Sequence, residues 1–146
     1  MRRFLLSLAL VSGLALAAPG PIKFKITLDP GVSPGTVSGR LFVLMSDKPE
    51  KMDRITTSFI PGGSWIAATE LEALKPGESV TFDPDAKAYP QPFSTAKKAT
   101  RQFMVLLDVD HSYAYGGQGE GDISGPVVQI PDVDPASTEP IEAPML

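Results

Sequence analysis

The apolar residues of this chain follow two patterns, and both indicate β-strands. Over residues 22–28 apolar and polar positions alternate strictly, as in a strand with one buried and one solvated face. Over residues 101–110 the apolar positions are almost continuous, so both faces of that strand are expected to be covered. We therefore predict that residues 101–110 form the central strand of the fold. The long strand predicted at 36–46 is also apolar on both faces in its second half, and we expect it in the sheet interior beside 101–110.

Shorter apolar segments bounded by proline and glycine complete the predicted set of strands. They cover residues 55–60, 64–69, 79–82 and 127–130. Residues 67–74 fit either a strand with a turn or a short helix, because Ala, Glu and Leu favour helix but the segment stops at a Lys-Pro-Gly sequence. Residues 83–99 form a long polar connection, with Tyr89 and Phe93 as its expected anchors in the core. About seven short strands at this spacing predict an all-β fold, an immunoglobulin-like antiparallel β-sandwich.

The two ends of the chain differ from this domain. Residues 1–17 have a basic start, a mainly apolar middle and an Ala-Leu-Ala end, which is the pattern of a secretory signal peptide. The apolar part is shorter than the roughly 20 residues that a membrane-spanning helix needs, so we predict cleavage after Ala17 and no retained membrane anchor. Residues 131–146 are rich in proline and acids and contain no basic residue, which predicts a linker or disordered tail. The predicted β-sandwich domain is residues 18–130.

Composition narrows the class of protein. The formal net charge is −4, and loss of Arg2 and Arg3 with the signal peptide makes it two units more negative. This charge argues against nucleic acid and anionic membranes as partners. The chain contains no cysteine, so no disulfide is possible, which fits a protein of the bacterial periplasm or exterior. We predict a periplasmic or secreted location.

Two features resemble parts of a hydrolase site and are interpreted otherwise. Residues 31–35 match the G-x-S-x-G pattern of a nucleophile elbow. The serine is followed by Pro34, which has no N–H for an oxyanion hole, and by a predicted strand instead of a helix, so we interpret the segment as a turn. His111 is the only histidine, and acids and serines lie near it in the sequence, but no pattern fixes their geometry. We interpret it as a solvated loop residue; one histidine and no cysteine also argue against zinc.

The loop after the central strand carries carboxylates that are candidate calcium ligands. Asp108 and Asp110 occupy alternate positions at the strand end and so point the same way. Glu120 and Asp122 follow a glycine-rich excursion. Calcium prefers hard oxygen ligands on flexible loops, so these four residues are a possible calcium site. The alternative is that they are solvated loop acids.

Three aromatic residues are candidate ligand contacts. Tyr113 and Tyr115 occupy alternate positions in the same glycine-rich loop, and together with Trp65 they could present a platform to a glycan. Trp65 is the only tryptophan, and a place in the core is its alternative role.

Several segments together resemble the N-terminal β-sandwich region of secreted esterases that are similar to enterochelin esterases. They are residues 39–46 (GRLFVLMS), 74–78 (LKPGE), the Tyr89-Pro90 pair, and 106–110 (LLDVD) with the glycine-rich loop after it. In that family the catalytic serine, acid and histidine belong to an α/β-hydrolase domain downstream, to which no part of this sequence corresponds. The resemblance therefore implies an accessory domain without catalytic residues, whose expected partner is an α/β-hydrolase domain encoded downstream or nearby. The alternative function is a free-standing module that binds a glycan or calcium through residues 108–122.

Overall fold

The computed structural model describes residues 22–56, 64–112, 119–134 and 140–145, which form nine β-strands in two sheets. The strands are β1 (Phe24–Leu28), β2 (Val37–Ser46), β3 (Ser64–Leu74), β4 (Ser79–Phe82), β5 (Ala88–Tyr89), β6 (Ala99–Asp108), β7 (Ile123–Ser124), β8 (Val128–Val133) and β9 (Ile141–Met145). Two short 3-10 helices, Pro84–Lys87 and Phe93–Thr95, lie in the β4–β6 connection. No helix in the described ranges is long and apolar enough to cross a membrane. The predicted all-β fold is confirmed, and the predicted signal peptide lies outside the described residues.

The larger sheet has the order β5-β3-β2-β6, and β7 and β8 share the far edge of β6. The smaller sheet has the order β4-β1-β9. Every pair is antiparallel except β1 with β9, which is parallel. β2 and β6 are neighbours near the middle of the larger sheet, with Val43 opposite Val105. The predicted central strand and its predicted neighbour are therefore confirmed.

The main core lies between the two sheets. Phe24, Ile26 and Leu28 point into it from β1, while Lys25 points to solvent. The alternation of apolar and polar residues in the sequence thus corresponds to one buried and one solvated face, as predicted. The Phe24 ring packs edge-on against Phe103, with 5.1 Å between ring centroids. The opposite wall of this core comes from the inward side chains of the larger sheet: Leu41, Val43, Met45, Trp65, Ala67, Leu71, Leu74, Phe103, Val105 and Leu107.

A second apolar cluster lies on the outer face of the larger sheet. Phe42 and Leu44 from β2 and Met104 and Leu106 from β6 are buried there, together with Ile55. Ile55 belongs to residues 47–56, hereafter the covering segment, which runs from β2 across this face. This second cluster explains why β2 and β6 are apolar at consecutive positions.

Gln102 fixes the covering segment to the sheet. Its side chain is fully buried on the outer face of β6. Its Oε1 accepts a hydrogen bond from Met52 N at 2.8 Å, and its Nε2 donates to the carbonyl oxygens of Lys48 at 2.8 Å and Glu50 at 2.7 Å. One side chain thus holds three backbone groups of the covering segment.

Some elements differ from the sequence-based prediction. Residues 64–74 form one continuous strand, so the strand alternative for 67–74 is the right one. Phe93 is a core anchor as predicted, but the Tyr89 prediction is wrong, since its side chain is 51% exposed on the edge strand β5. Ile55 and Thr56 are not in a strand, and residues 57–60 of that predicted element lie outside the described residues.

The prediction of a linker or tail from residue 131 also differs from the structure. β8 continues to Val133, and Pro131 is accommodated because the ladder with β6 is irregular between Ile130 and Val133. Residues 141–145 add β9 to the free edge of β1. Ile141 N donates to Lys23 O at 2.8 Å, so alternate N–H groups face β1, and the missing N–H of Pro144 falls on the open side.

Candidate functional site

Three of the predicted calcium ligands converge at the end of β6. Carboxylate oxygens of Asp108, Asp110 and Asp122 all lie within 4.8 Å of one another. β6 ends at Asp108, and the chain returns through Asp122 into β7, which pairs Ile123 with Leu107. This pairing brings Asp122 beside the strand end that carries the other two. Asp108 is buried, Asp122 is half-buried and Asp110 is exposed, so the group opens from the protein toward solvent.

Backbone N–H groups hold the three carboxylates in place. Asp122 accepts from Val109 N at 3.2 Å and, through its other oxygen, from Gly119 N at 2.7 Å. Ser112 N donates to Asp108 at 2.9 Å and to Asp110 at 3.0 Å. These bonds fasten both ends of the loop to the strand end. An ionised carboxylate has about four acceptor positions, so such bonds leave oxygen lone pairs that can face a cation.

A glycine in the neighbouring strand permits this arrangement. β2 has an irregularity between Val37 and Gly39, and Gly39 has a φ of 146°. A Cβ at Gly39 would lie 2.3 Å from the carbonyl oxygen of Asp108. Only glycine lets β2 and the end of β6 approach this closely.

Hydrogen bonds favour the ionised form of Asp110. The hydroxyl of Ser112 is the largest influence and the backbone N–H of Ser112 the second, and together they lower the pKa of the Asp110 carboxyl below its ordinary value of 3.8. The carboxylate is therefore negative at neutral pH.

An ion-pair cluster on the outer face of the sheet adjoins these carboxylates. Arg40 lies opposite both Glu70 and Asp108 in the strand register. Arg40 Nε donates to Glu70 Oε1 at 2.8 Å, and His111 Nε2 lies 3.0 Å from Glu70 Oε2. The hydrogen bond from Arg40 first, and that from His111 second, lower the pKa of Glu70 below its ordinary 4.5. No pattern in the sequence predicts this cluster, and His111 differs from the solvated loop residue expected there: its side chain is about half exposed but binds Glu70.

The remaining predicted ligands do not join the three carboxylates. Glu120 is exposed in the turn between Gly119 and Gly121 and lies outside the group. Tyr113 and Tyr115 lie outside the described residues, so their prediction as glycan contacts stays a prediction.

Trp65 lies in the core between the sheets, with 9% of its surface exposed. The guanidinium of Arg101 sits over its ring, 5.4 Å from the centroid. Trp65 is opposite Met45 and Glu70 is opposite Arg40, so the tryptophan lies about 17 Å along β3 from the row of the carboxylates. The structure thus gives Trp65 the core role and keeps it away from Asp108.

The segment that matches a nucleophile elbow is a turn between β1 and β2. Ser33 Oγ donates to the carbonyl oxygen of Gly35 at 3.1 Å, within the same turn. The following element is the strand β2, as the sequence predicted. The serine is therefore engaged in turn structure.

The three carboxylates offer oxygen donors, the ligand type that a hard divalent cation such as calcium prefers. All donors are oxygens, two of the three residues reach solvent, and calcium accepts irregular sets of oxygen ligands supplemented by water. The donor set contains no nitrogen or sulfur ligand of the kind that zinc prefers.

Comparison of the chain with protein-family models, curated proteins and solved structures finds no match.

Proposed function

We propose that this chain is an exported, non-catalytic β-sandwich module that serves as the accessory domain of a secreted esterase. The observation that carries the proposal is the engagement of the hydrolase-like residues in local structure. Ser33 bonds within its own turn and is followed by Pro34, which cannot donate to an oxyanion. His111 bonds to Glu70, so the one imidazole serves to fasten a loop.

The start of the chain supports export. β1 begins at Phe24, after the predicted cleavage at Ala17, so cleavage there leaves the whole of β1 in the mature chain. The immunoglobulin-like arrangement, the periplasmic or secreted location and the esterase association belong to this proposal. The expected partner is an α/β-hydrolase domain, encoded downstream or by a neighbouring gene.

Two measurements test the proposal. The purified mature chain should hydrolyse activated esters no faster than buffer, and its Ser33→Ala variant should be identical. The DNA that follows this reading frame, or a neighbouring gene, should encode an α/β-hydrolase with a complete G-x-S-x-G elbow. Ester turnover that disappears in Ser33→Ala would refute the non-catalytic assignment, and the lack of any hydrolase gene nearby would refute the accessory role.

A second candidate function is calcium binding at the end of β6. The observation that favours it is the approach of three carboxylates within 4.8 Å of one another, despite their mutual repulsion. Calcium would be held by Asp108, Asp110 and Asp122, completed by loop carbonyl oxygens or water. Bound calcium would join the strand end to the loop, which carries the two tyrosines proposed to contact a glycan.

Thermal melting tests calcium binding, because a ligand selective for the folded state raises the melting temperature by mass action. Millimolar calcium should stabilise the mature chain, and Asp110→Asn should abolish the effect while keeping an oxygen to accept from Ser112 N. Asp53→Asn, at an exposed acid of the covering segment, is the matched control and should respond like the parent chain. An equal response of all three proteins, or of none, would refute the site.

A further inference from the structure

β9 is attached to the sandwich differently from the other strands. It pairs with β1 alone, in parallel register from Phe24 opposite Ile141 to Leu28 opposite Met145. Parallel pairing is slightly less stable per residue than antiparallel pairing. A cleft of about 220 Å³ lies where β9 begins, lined in part by Ile22, Val133 and Ile141. Release of β9 breaks one parallel ladder, whereas release of the core strand β2 breaks an antiparallel ladder on each side, so release of β9 costs less.

β1 holds β9 by backbone pairing, one charge pair and one apolar contact. Lys23, directly before β1, and Lys25 in β1 are exposed, and Lys25 Nζ lies 3.2 Å from Glu142 Oε1. Ile141 N donates to Lys23 O at 2.8 Å, and the Ile141 side chain packs against the main core. Backbone pairing, one apolar contact and one charge pair are the means by which sheet edges bind added strands.

We propose that β9 is exchangeable between two copies of this chain, so that residues 141–145 of one copy pair with β1 of the other. The acceptor edge and the donor strand are identical in every copy, so the exchanged pair makes the same contacts as the internal one. Residues 134–140, which join β8 to β9 in the sequence, include Pro135 and Pro140 and no glycine.

Reciprocal exchange ends at a dimer. Each copy offers one acceptor edge on β1 and one donor strand, so two copies satisfy each other with two-fold symmetry. Pro144 deprives the open edge of β9 of an N–H, which opposes the addition of another strand there. The partner that fits the β1 edge is thus a second copy of this chain.

Single cysteines test the exchange, because the chain has no cysteine of its own. Lys25 and Glu142 are direct register partners, so Lys25→Cys in one copy and Glu142→Cys in another are held side by side only when β9 crosses between copies. The two variants carry tags of different mass, are refolded together at high concentration, and are oxidised. We expect the mixed disulfide dimer to exceed that of a control pair, Lys25→Cys with Glu72→Cys, on the order of tenfold, since pairing raises the effective thiol concentration. Glu72 is an exposed residue of β3, in the other sheet.

The double variant Lys25→Cys/Glu142→Cys reports the internal pair. At low concentration it should close within one chain, and after concentrated refolding it should give dimers joined by two disulfides. Internal closure combined with mixed dimers at the control level would overturn the exchange. Failure of the double variant to close at any concentration would overturn the pairing on which the proposal rests.

Discussion

Removal of the Gln102 side chain should loosen the covering segment and destabilise the whole domain. Gln102→Ala eliminates three hydrogen bonds to the backbone of Lys48, Glu50 and Met52. A typical hydrogen bond contributes about 1 kcal/mol net, so the expected loss in the free energy of unfolding is about 3 kcal/mol. For a domain of this size that corresponds to a fall in melting temperature of roughly 10 °C.

Gln102→Glu separates hydrogen bonding from shape, because the two side chains have the same size. An ionised carboxylate has no N–H for the carbonyl oxygens of Lys48 and Glu50, so this variant should be destabilised at pH 7. The folded state favours the protonated carboxyl, whose pKa is expected to rise above its unfolded value. The hydrogen bonds of the protonated carboxyl therefore stabilise the variant at pH values below the unfolded pKa, and this stabilisation is lost as the pH rises through the folded pKa. A protonated carboxyl has one O–H and can donate to only one of the two carbonyl oxygens, so Gln102→Glu should recover part of the lost stability near pH 4, and Gln102→Ala should not.

Urea denaturation followed by the fluorescence of Trp65, the only tryptophan, measures these changes. Gln129→Ala is the matched control, since Gln129 lies opposite Gln102 in β8 but is exposed, and it should change stability by less than about 0.5 kcal/mol. If Gln102→Ala were no more damaging than Gln129→Ala, the covering segment would be held by other contacts and the reasoning would fail.

Three further predictions concern the core, the strand end and the ion-pair cluster. Val105→Asp places an unpaired charge at a position that is 2% exposed, so circular dichroism should show the mature chain unfolded. A native melting curve would contradict the central position of β6. Gly39→Ala brings a methyl group against the Asp108 carbonyl oxygen and should lower stability by about 2 kcal/mol or more, measured by urea denaturation, with Gly35→Ala, which meets nothing within 4 Å, as its control. Because the pKa of Glu70 is lowered in the folded state, its ionised carboxylate stabilises the fold above pH 4.5, and this stabilisation is lost as the pH falls below that value. Glu70→Gln should therefore flatten the acid side of a plot of melting temperature against pH, and an unchanged plot would refute the assignment.

Local patterns predicted the features that depend on neighbours along the chain. Apolar residues on both faces placed β2 and β6 in the centre, because a strand covered twice has no polar face. Asp108 and Asp110 were predicted on one side of a strand end by the two-residue period, and Asp122 on the returning chain. Glu120 belongs to the same loop rich in glycine and acids, but it lies in the turn and outside the group of three carboxylates. No local pattern in the sequence distinguishes an acid in the turn from an acid beside the strand end.

Features that depend on strand register were not predictable in this way. Arg40, Glu70 and His111 come from three distant segments, which only the pairing of β2 with β3 and β6 brings together. Gln102 appears in the sequence as a polar residue at the start of an apolar run, yet it is fully buried because the covering segment supplies its partners. Residues 141–145 have the composition of a tail, and they form a strand because β1 offers a ready edge.

The position of β1 between β4 and β9 has a consequence for how the domain is completed. Lys25 and Glu142 are 117 residues apart in the chain, and the β4 residues that flank β1 on its other side begin only at Ser79. A chain that emerges N-terminus first therefore presents β1 without either lateral neighbour until more than half of the polypeptide has emerged, and without the second until residues 141–145 arrive. Contacts of such long sequence separation form late and slowly. The smaller sheet therefore needs a strand that follows every strand of the larger sheet in the sequence, so it is the second of the two sheets to have all its strands available.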